Sequence, residues 1–307
     1  MSVPTSGPVT VPVPPEGQDV QARPRLLRDL VEIASDVWRS RDLLYQLARR
    51  DIRIRYKQAI MGLGWAVLMP LLIVLAGLLI RLAMATVSGS TLPKGVIAGI
   101  MVKSLPWAFF VGAIGTSVTS LTANMNLVSK VYFPREVLPL GTTLAQSFDS
   151  LIGATAITLV LAFLGVQPTL ALGWVPILAV LLFLLTLAAA LFLSCANLFF
   201  RDVKYIVQVL LTFGIFFTPV LYEPAMLPPA AAKLAMLNPL APLIEGLRLV
   251  VTQGHSLLEP LTQLTKHGVA VVWEPWYLAY SAIWAIAGLV ASAVLFHRLE
   301  FVFAEYV

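Results

Sequence analysis

The stretch RRDIRIRYKQAIMGLGWAVLMP, residues Arg49–Pro70, joins a dense basic cluster directly to a long apolar run. The basic residues of the cluster are Arg49, Arg50, Arg53, Arg55 and Lys57. A helix that crosses the ~30 Å hydrocarbon core of a bilayer needs about 20 mainly apolar residues. The chain supplies such a run from Gly62 onward, so the stretch predicts a membrane boundary with the basic cluster on one side of it.

The overall composition supports this interpretation. Of 307 residues, 59% are hydrophobic and 12% are charged, and the mean hydropathy is +0.86. Soluble domains carry about 25% charged residues, so this chain has too few polar side chains to cover a water-facing surface. A transmembrane β-barrel would show alternating segments of about ten residues, whereas the apolar runs here are continuous. We therefore predict an all-α polytopic membrane protein.

Six apolar segments are predicted to be transmembrane helices. They are approximately Gly62–Thr86, Ser104–Ala123, Thr143–Gly165, Trp174–Phe199, Tyr205–Tyr222 and Trp276–His297. A long insert, residues 223–275, separates the fifth span from the sixth. Two apolar pieces within the insert are interrupted by prolines, and each is too short to span a membrane. They predict short re-entrant or interfacial helices.

The positions of lysine and arginine predict the orientation. Besides the opening cluster, the N-terminal side of the membrane receives Lys130, Arg135, Arg201, Lys204 and Arg298. The opposite side receives Lys94 and Lys103 in a short loop and Lys233, Arg248 and Lys266 in the long insert. Arg81 is expected near that outer boundary. Cytoplasmic loops are enriched in basic residues, and the short loops follow this rule, so we expect a multi-pass membrane protein with both termini in the cytoplasm.

The basic cluster is itself predicted to be helical. At 100° per residue, Leu43, Leu47 and Ile54 share one face, whereas Arg49 and Arg53 gather on another. This pattern is typical of an amphipathic helix in the headgroup layer, where anionic lipids attract each basic residue by ~1 kcal/mol. We therefore divide the chain into a cytoplasmic Pro-rich tail and lead-in segment (1–38), an interface helix (39–57) and a six-span transmembrane domain (58–307).

Residue types that could support catalysis or bind a metal are few and dispersed along the sequence. The single cysteine, Cys195, excludes an internal disulfide and a cysteine-rich metal site. His255, His267 and His297 do not converge in sequence, so neither catalytic residues nor a metal site is predicted. An integral membrane glycosyltransferase acting on polyprenyl-linked sugars stays open as an alternative, although it would need a carboxylate cluster. Membrane lipids rather than nucleic acid are the expected partners of the basic residues.

Several segments together resemble one family. They are RDLLYQLARRDIRIRYKQAIMGLGWAVLMP (Arg41–Pro70), SKVYFPREVLPL (Ser129–Leu140), NLFFRDVKYI (Asn197–Ile206), TPVLY (Thr218–Tyr222), LNPLAPLIEGLR (Leu237–Arg248) and LEFVFAEYV (Leu299–Val307). In this order and spacing they resemble the permease subunits of ABC-2 exporters for lipid-linked polysaccharides, such as O-antigen, teichoic acid and related cell-wall glycans. The Pro-rich tail and residues 265–275 lie outside the resemblance.

The resemblance implies a transport subunit rather than an enzyme. Such permeases form a homodimer and pair with two copies of a separate ABC ATPase subunit, which uses ATP and Mg. The present chain lacks a GxxxxGK[ST] loop, so it is expected to bind no cofactor itself. The implied substrate is a polyprenyl-linked glycan of the cell envelope, and the implied location is the plasma (bacterial inner) membrane. A permease of a small-amphiphile ABC-2 drug exporter stays open as an alternative.

The resemblance, together with residue chemistry, assigns candidate roles at the cytoplasmic face. Loop 124–141 is the predicted coupling segment for the ATPase. Its candidate contact residues are Lys130, Val131, Tyr132, Phe133 and Arg135. Guanidinium groups bind phosphate bidentately, so the arginines of the basic helix are candidates for lateral access of an anionic lipid headgroup. These are Arg49, Arg50, Arg53 and Arg55.

Further candidate roles concern the pore and its outer end. Aromatic rings suit the C–H faces of a sliding glycan, and the candidate pore aromatics are Trp107, Phe109, Phe110, Phe213, Phe216, Phe217 and Tyr222. Glu245 and Arg248 have i, i+3 spacing and are predicted to pair, which would shape an outer gate. Asp149, an acid within a predicted span, is expected to contact a neighbouring helix or water.

Overall fold

The computed structural model describes residues 25–57, 62–89, 94–130, 133–265, 268–300 and 303. The α-helices in these ranges are α1 (Arg25–Arg39), α2 (Arg41–Tyr56), α3 (Gly64–Ser88), α4 (Lys94–Ser117), α5 (Ser120–Ala123), α6 (Met125–Lys130), α7 (Val137–Phe163), α8 (Trp174–Phe199), α9 (Val203–Phe217), α10 (Pro229–Met236), α11 (Leu240–Arg248) and α12 (Pro275–Leu299). Two antiparallel strands, β1 (Leu261–Thr265) and β2 (Gly268–Trp273), form a hairpin.

Among the described residues, five helices are long and apolar enough to cross a membrane: α3, α4, α7, α8 and α12. The predicted polytopic all-α class is therefore confirmed. The fifth predicted span is a shorter helix, α9, with 15 residues and a length of about 22 Å at 1.5 Å per residue. The apolar helices between it and α12 form a pair bent by 108°, as the prolines predict. This pair is either a re-entrant loop or a broken sixth span.

Helices α8 and α12 run parallel, since Leu198 and Phe296 near their C-terminal ends share one apolar core and Leu178 and Tyr277 near their N-terminal ends share another. The bundle therefore has two distinct ends. We call the end with α1, α2, the 200–202 turn and the C-terminus of α12 the basic end. The opposite end, which carries residues 218–274, is the insert end. The small hairpin and the helix α1 were not predicted. Trp273 ends the hairpin fully buried, and its Nε1 donates a hydrogen bond to the Leu257 carbonyl at 2.9 Å.

Helix α4 begins about ten residues before the predicted second span. Lys103, expected in an outer loop, lies inside α4 with only 1% of its surface exposed. The prediction for Lys103 is therefore wrong, because a charged side chain is accommodated in an apolar helix when a buried partner neutralises it. That partner is Glu245, whose Oε2 lies 3.6 Å from the Lys103 Nζ.

The basic end is closed by α1 and α2. Helix α2 packs against α7, where Gly141 lets Leu47 approach closely: a Cβ added to Gly141 would lie 3.6 Å from the Leu47 Cβ. Of the residues on the predicted apolar face, Leu47 is buried against the bundle, whereas Ile54 is 63% exposed on the protein surface, so α7 covers only part of that face. Helix α1 packs against α12, and Arg298 donates hydrogen bonds to Asp29 at 2.8 and 3.0 Å.

Candidate functional site

A groove of about 600 Å³ lies between α2, α3, α4, α7 and α9. We call it the α3 groove. Its polar lining comes from Arg55, Tyr56, Gln146, Asp149 and Ser150, which lie toward the basic end. Its apolar lining includes Trp65, Met69, Leu72, Ile73, Leu105 and Trp107. The groove therefore combines a charged end near the interface helix with an apolar body inside the helical bundle.

Asp149 organises the polar end of this groove. The Arg55 guanidinium donates hydrogen bonds to an Asp149 carboxylate oxygen and, at 2.9 Å, to the Gln146 Oε1. The Tyr56 hydroxyl donates to the other Asp149 oxygen. Burial and this hydrogen bond raise the pKa of the Tyr56 phenol above its usual value, which keeps the hydroxyl protonated as a donor. The expected contact of Asp149 with a neighbouring helix is confirmed, and it clamps α2 onto α7.

The four arginines predicted to bind a lipid headgroup do not converge. Arg49, Arg50 and Arg53 are exposed on α2, and Arg50 pairs with its neighbour Asp51 at 2.9 Å. Of the four, Arg55 is the residue that lines the α3 groove. The exposed arginines form a basic surface beside the groove, and their role in headgroup binding stays a prediction.

Six of the seven predicted pore aromatics fall into two groups, on α4 and on α9, while the partly buried Tyr222 lies in the segment after α9. Trp107 and Phe109 are buried in α4 at 5% and 6% exposure, and the Trp107 ring centroid lies 6.2 Å from that of Phe110. Trp107 also meets α9, since a Cβ added to Gly214 would lie 3.0 Å from its Cη2. Helix α9 exposes its own rings, and the exposed members are Phe213, Phe216 and Phe217. Phe109 is thus a core residue, whereas Trp107 lines the groove.

The pair predicted in the insert is confirmed. Arg248 donates from Nε to the Glu245 Oε1 at 2.9 Å, and Glu245 is fully buried. Lys103 of α4 faces the same carboxylate and donates a hydrogen bond to the Tyr222 carbonyl. The pair therefore attaches α11 to α4 and to the segment that follows α9, and its role as an outer gate stays a prediction.

Two further charged residues, Glu223 and Arg81, extend this pair into a cluster that was not predicted from the sequence. The Glu223 carboxylate lies 3.7 Å from Nη1 of Arg248 and 3.8 Å from Nη2 of Arg81. Arg81 is 7% exposed and pairs with Glu223 of the insert. It therefore lies at the insert end, where it was expected, but in a buried ion pair. With Lys103 and Glu245, the cluster holds three cations and two carboxylates. The available signal was the presence of Arg81 and Lys103 in apolar helices, where an ionisable residue requires a partner.

The predicted coupling segment is folded against the bundle. Phe133 is 7% exposed within the apolar core of the basic end. Arg135 donates a hydrogen bond to the Glu300 carbonyl and lies 5.8 Å from the Phe303 ring centroid. Lys130 is exposed, while Val131 and Tyr132 lie outside the described residues. In this structure Phe133 packs in the core of the basic end and Arg135 tethers the C-terminal end of α12. Contact of this segment with an ATPase stays a prediction.

Sequence comparisons agree with this architecture. The ABC-2 type transporter family matches residues 42–251. An O-antigen export system permease protein RfbA of Klebsiella pneumoniae is 28% identical over 265 residues, which cover 86% of this chain and 94% of that protein. A protein with the same name from Myxococcus xanthus is 27% identical over 248 residues, covering 80% and 94% of the two chains. The family match extends from α2 to the end of the bent pair, and the chain therefore belongs to the ABC-2 type transporter family.

Proposed function

We propose that this chain is the transmembrane permease subunit of an ATP-driven exporter that moves a lipid-linked polysaccharide across the plasma membrane. The relatives named as O-antigen export permeases support this class of substrate. The observation that carries the proposal is the α3 groove, whose charged end and apolar body match the two chemically different parts of a polyprenyl-linked glycan. O-antigen, teichoic acid and other cell-wall glycans share this chemistry.

The basic surface of α2 brings the anionic headgroup to the groove. Arg49 and Arg53 are exposed and attract the pyrophosphate at the level of the lipid headgroups. Arg55 stands at the groove itself, and its guanidinium has five N–H donors, so it can contact phosphate while it keeps Asp149. Because Asp149 already neutralises Arg55, the phosphate is held weakly enough to be released during transport.

The apolar side of the groove accepts the polyprenyl chain. Met69 and Leu72 of α3 are 54% and 46% exposed, and both line the groove. A lipid tail can therefore remain in contact with these side chains while the headgroup sits near Arg55. Trp107 closes the deep side and offers its ring to sugar C–H groups. Substrate reaches the groove laterally from the inner leaflet.

Energy for transport comes from a separate subunit. No P-loop sequence is present in the chain, so two copies of an ABC ATPase supply hydrolysis of Mg-bound ATP. A homodimer of the permease completes the assembly, and the exposed aromatic face of α9 is available to the second copy. Both termini and the basic end lie in the cytoplasm of a bacterial cell, as the distribution of basic residues predicts.

Co-purification with candidate ATPase subunits tests this function. The full chain is co-expressed with each candidate, and ATP hydrolysis is measured with and without polyprenyl-linked glycan in lipid nanodiscs. The proposal predicts a stable complex whose hydrolysis the glycan stimulates. Stimulation by small amphiphiles instead of glycan would favour a drug exporter. Conversion of a lipid-linked sugar without any recruited ATPase would contradict the proposal and favour a glycosyltransferase.

A further inference from the structure

Three side chains with metal-binding groups converge at the basic end, where α12 ends beside the turn that precedes α7. The Nδ1 of His297 lies 3.3 Å from an oxygen of Glu136 and 3.9 Å from an oxygen of Glu300. One ligand atom from each residue lies within 4.8 Å of the other two. Tetrahedral zinc, with ligand bonds of about 2.0–2.2 Å, places its ligand atoms roughly 3.3–3.5 Å apart, so a small closure of this triangle would accommodate one ion.

Glu136 carries an independent sign that this triangle is incomplete. The residue is 4% exposed, and its Oε2 is buried without a hydrogen-bond partner among the described residues. Burying an unsatisfied polar group costs about 1–3 kcal/mol, and more for a charged group. Its other oxygen faces His297. A cation bound by both oxygens of Glu136, or by Oε2 after a rotation of the carboxylate, would supply the missing partner of Oε2.

The surroundings supply space, with one further carboxylate and two arginines. The triangle forms part of the wall of a cavity of about 730 Å³, which Asp36 and Arg39 also line. This space leaves room for water to complete the coordination shell. On the far side of the imidazole, the Nε2 of His297 lies 3.9 Å from an oxygen of Glu32. A metal-bound histidine usually donates a hydrogen bond from its other nitrogen to a carboxylate. Glu32, which already accepts a hydrogen bond from Arg28, could take this role after an approach of about 1 Å.

We propose that Glu136, His297 and Glu300 bind one divalent transition-metal ion of the zinc class. One imidazole nitrogen and two carboxylate oxygens suit Zn²⁺, whereas Mg²⁺ and Ca²⁺ prefer sites made entirely of oxygen. Three protein ligands leave a fourth position for water from the cavity. The proposal concerns a binding site and does not depend on which substrate the chain transports.

The site would join two parts of the chain that are distant in sequence. Glu136 follows Arg135, which already tethers the Glu300 carbonyl. A bound ion would add a second link between the turn before α7 and the C-terminal end of α12. This is the region where the coupling segment is predicted, so metal would stiffen it. A protonated His297 bridging two carboxylates is the competing arrangement, and it needs no metal.

Metal binding to the purified chain distinguishes these two arrangements. The full-length, tag-free protein in detergent is stripped with a chelator and titrated with Zn²⁺ or Mg²⁺ by isothermal calorimetry. We expect one Zn²⁺ per chain, no comparable Mg²⁺ binding, and at least about a 10-fold loss of Zn²⁺ affinity in E136Q and in E300Q. The matched control is H255N, which removes a histidine at the insert end and is expected to leave binding unchanged.

Two further observations keep the test decisive. E32Q changes a half-exposed carboxylate next to the site, so it serves as the test variant if E136Q and E300Q fail to fold. It is expected to weaken Zn²⁺ binding about 10-fold, since such outer partners tune metal affinity 10–100-fold. Size-exclusion profiles identify misfolded variants. Less than one-tenth of an equivalent of Zn²⁺ on the native chain would overturn the proposal. Binding that E136Q, E300Q and E32Q all leave intact would overturn it equally.

Discussion

Arg55 in α2 donates a hydrogen bond to Asp149 in α7, which lies 94 residues further along the chain. This ion pair connects the basic interface helix to the interior of the bundle. It also forms the polar end of the α3 groove. Asp149 therefore has two consequences for the protein: it holds the interface helix in place, and it sets the charge that an incoming headgroup meets.

Removing the Asp149 charge is expected to destabilise the protein. In D149N the Arg55 guanidinium loses a charge-assisted hydrogen bond, and the free energy of unfolding should fall by about 1.5–3 kcal/mol. The lower part of this range is expected, because the Arg55 side chain is 29% exposed and can turn to water. Y56F, which loses one neutral donor, should cost about 1 kcal/mol. Thermal unfolding of the purified protein in detergent measures both effects.

The control for these variants is R50Q. Arg50 also pairs with an aspartate, but its side chain is 42% exposed, and such surface pairs contribute about 0–1 kcal/mol. Its unfolding free energy should therefore stay close to that of the native protein. If R50Q and D149N were equally destabilised, the Asp149 contacts would have no special structural role.

The exposed arginines of α2 should affect transport more than folding. In R49Q/R53Q the basic surface beside the groove loses two charges, so delivery of an anionic headgroup becomes weaker while the bundle stays intact. We expect surface glycan to fall severalfold in cells at an unchanged level of membrane-inserted protein. K233Q, which removes an exposed charge at the insert end, is the matched control. Equal losses of surface glycan and of membrane-inserted protein would contradict this, and would show that these arginines act only in membrane insertion and orientation.

Glu245 should be a strong determinant of stability. It is fully buried between Lys103 and Arg248, so E245Q leaves cations without their partner. Breaking a buried ion pair in this way costs about 3–5 kcal/mol. The double variant K103M/E245Q should recover part of that loss, with a coupling free energy of about 0.5–3 kcal/mol. Chemical denaturation of the four proteins of this double-mutant cycle gives the coupling, and strictly additive effects would contradict the pairing.

Gly153 sets the close contact between α7 and its neighbours. A Cβ at this position would lie 3.0 Å from a Leu105 methyl group and 3.2 Å from the Ala66 carbonyl oxygen. G153A should therefore destabilise the bundle by about 1–3 kcal/mol. In G288A the added Cβ meets only Ala188, at 3.6 Å, so this helical substitution should be neutral or stabilising by about 0.5–1 kcal/mol. Melting temperatures that change in the same direction would contradict this packing.

The membrane class of the fold followed from sequence because it depends on composition and on the length of apolar runs. Five predicted spans correspond to helices long enough to cross a membrane. The prolines of the insert correctly indicated a broken helical pair. Span ends were less predictable: Lys103 was placed outside the membrane, because sequence alone does not reveal that α11 brings Glu245 against it.

Prediction of the sites was limited in the same way, because their residues are far apart in the sequence and meet only in the folded structure. Asp149 was recognised as a helix contact, but its partners Arg55 and Tyr56 are brought to it by the packing of α2 on α7. Glu136 and His297 are dispersed in the sequence and meet only because α12 returns to the basic end. Periodicity identified the apolar face of α2 without specifying what covers it: α7 covers Leu47, whereas Ile54 stays exposed on the protein surface.

Site-specific photocrosslinking tests the central claim, that a lipid-linked glycan occupies the α3 groove. A benzophenone amino acid replaces Met69, which lines the groove, or Ile283 on α12, with 54% and 64% exposure respectively. In living cells that make the glycan, irradiation should attach it to the protein at position 69 and leave position 283 unlabelled. Equal labelling at both positions, or labelling confined to position 283, would contradict the account.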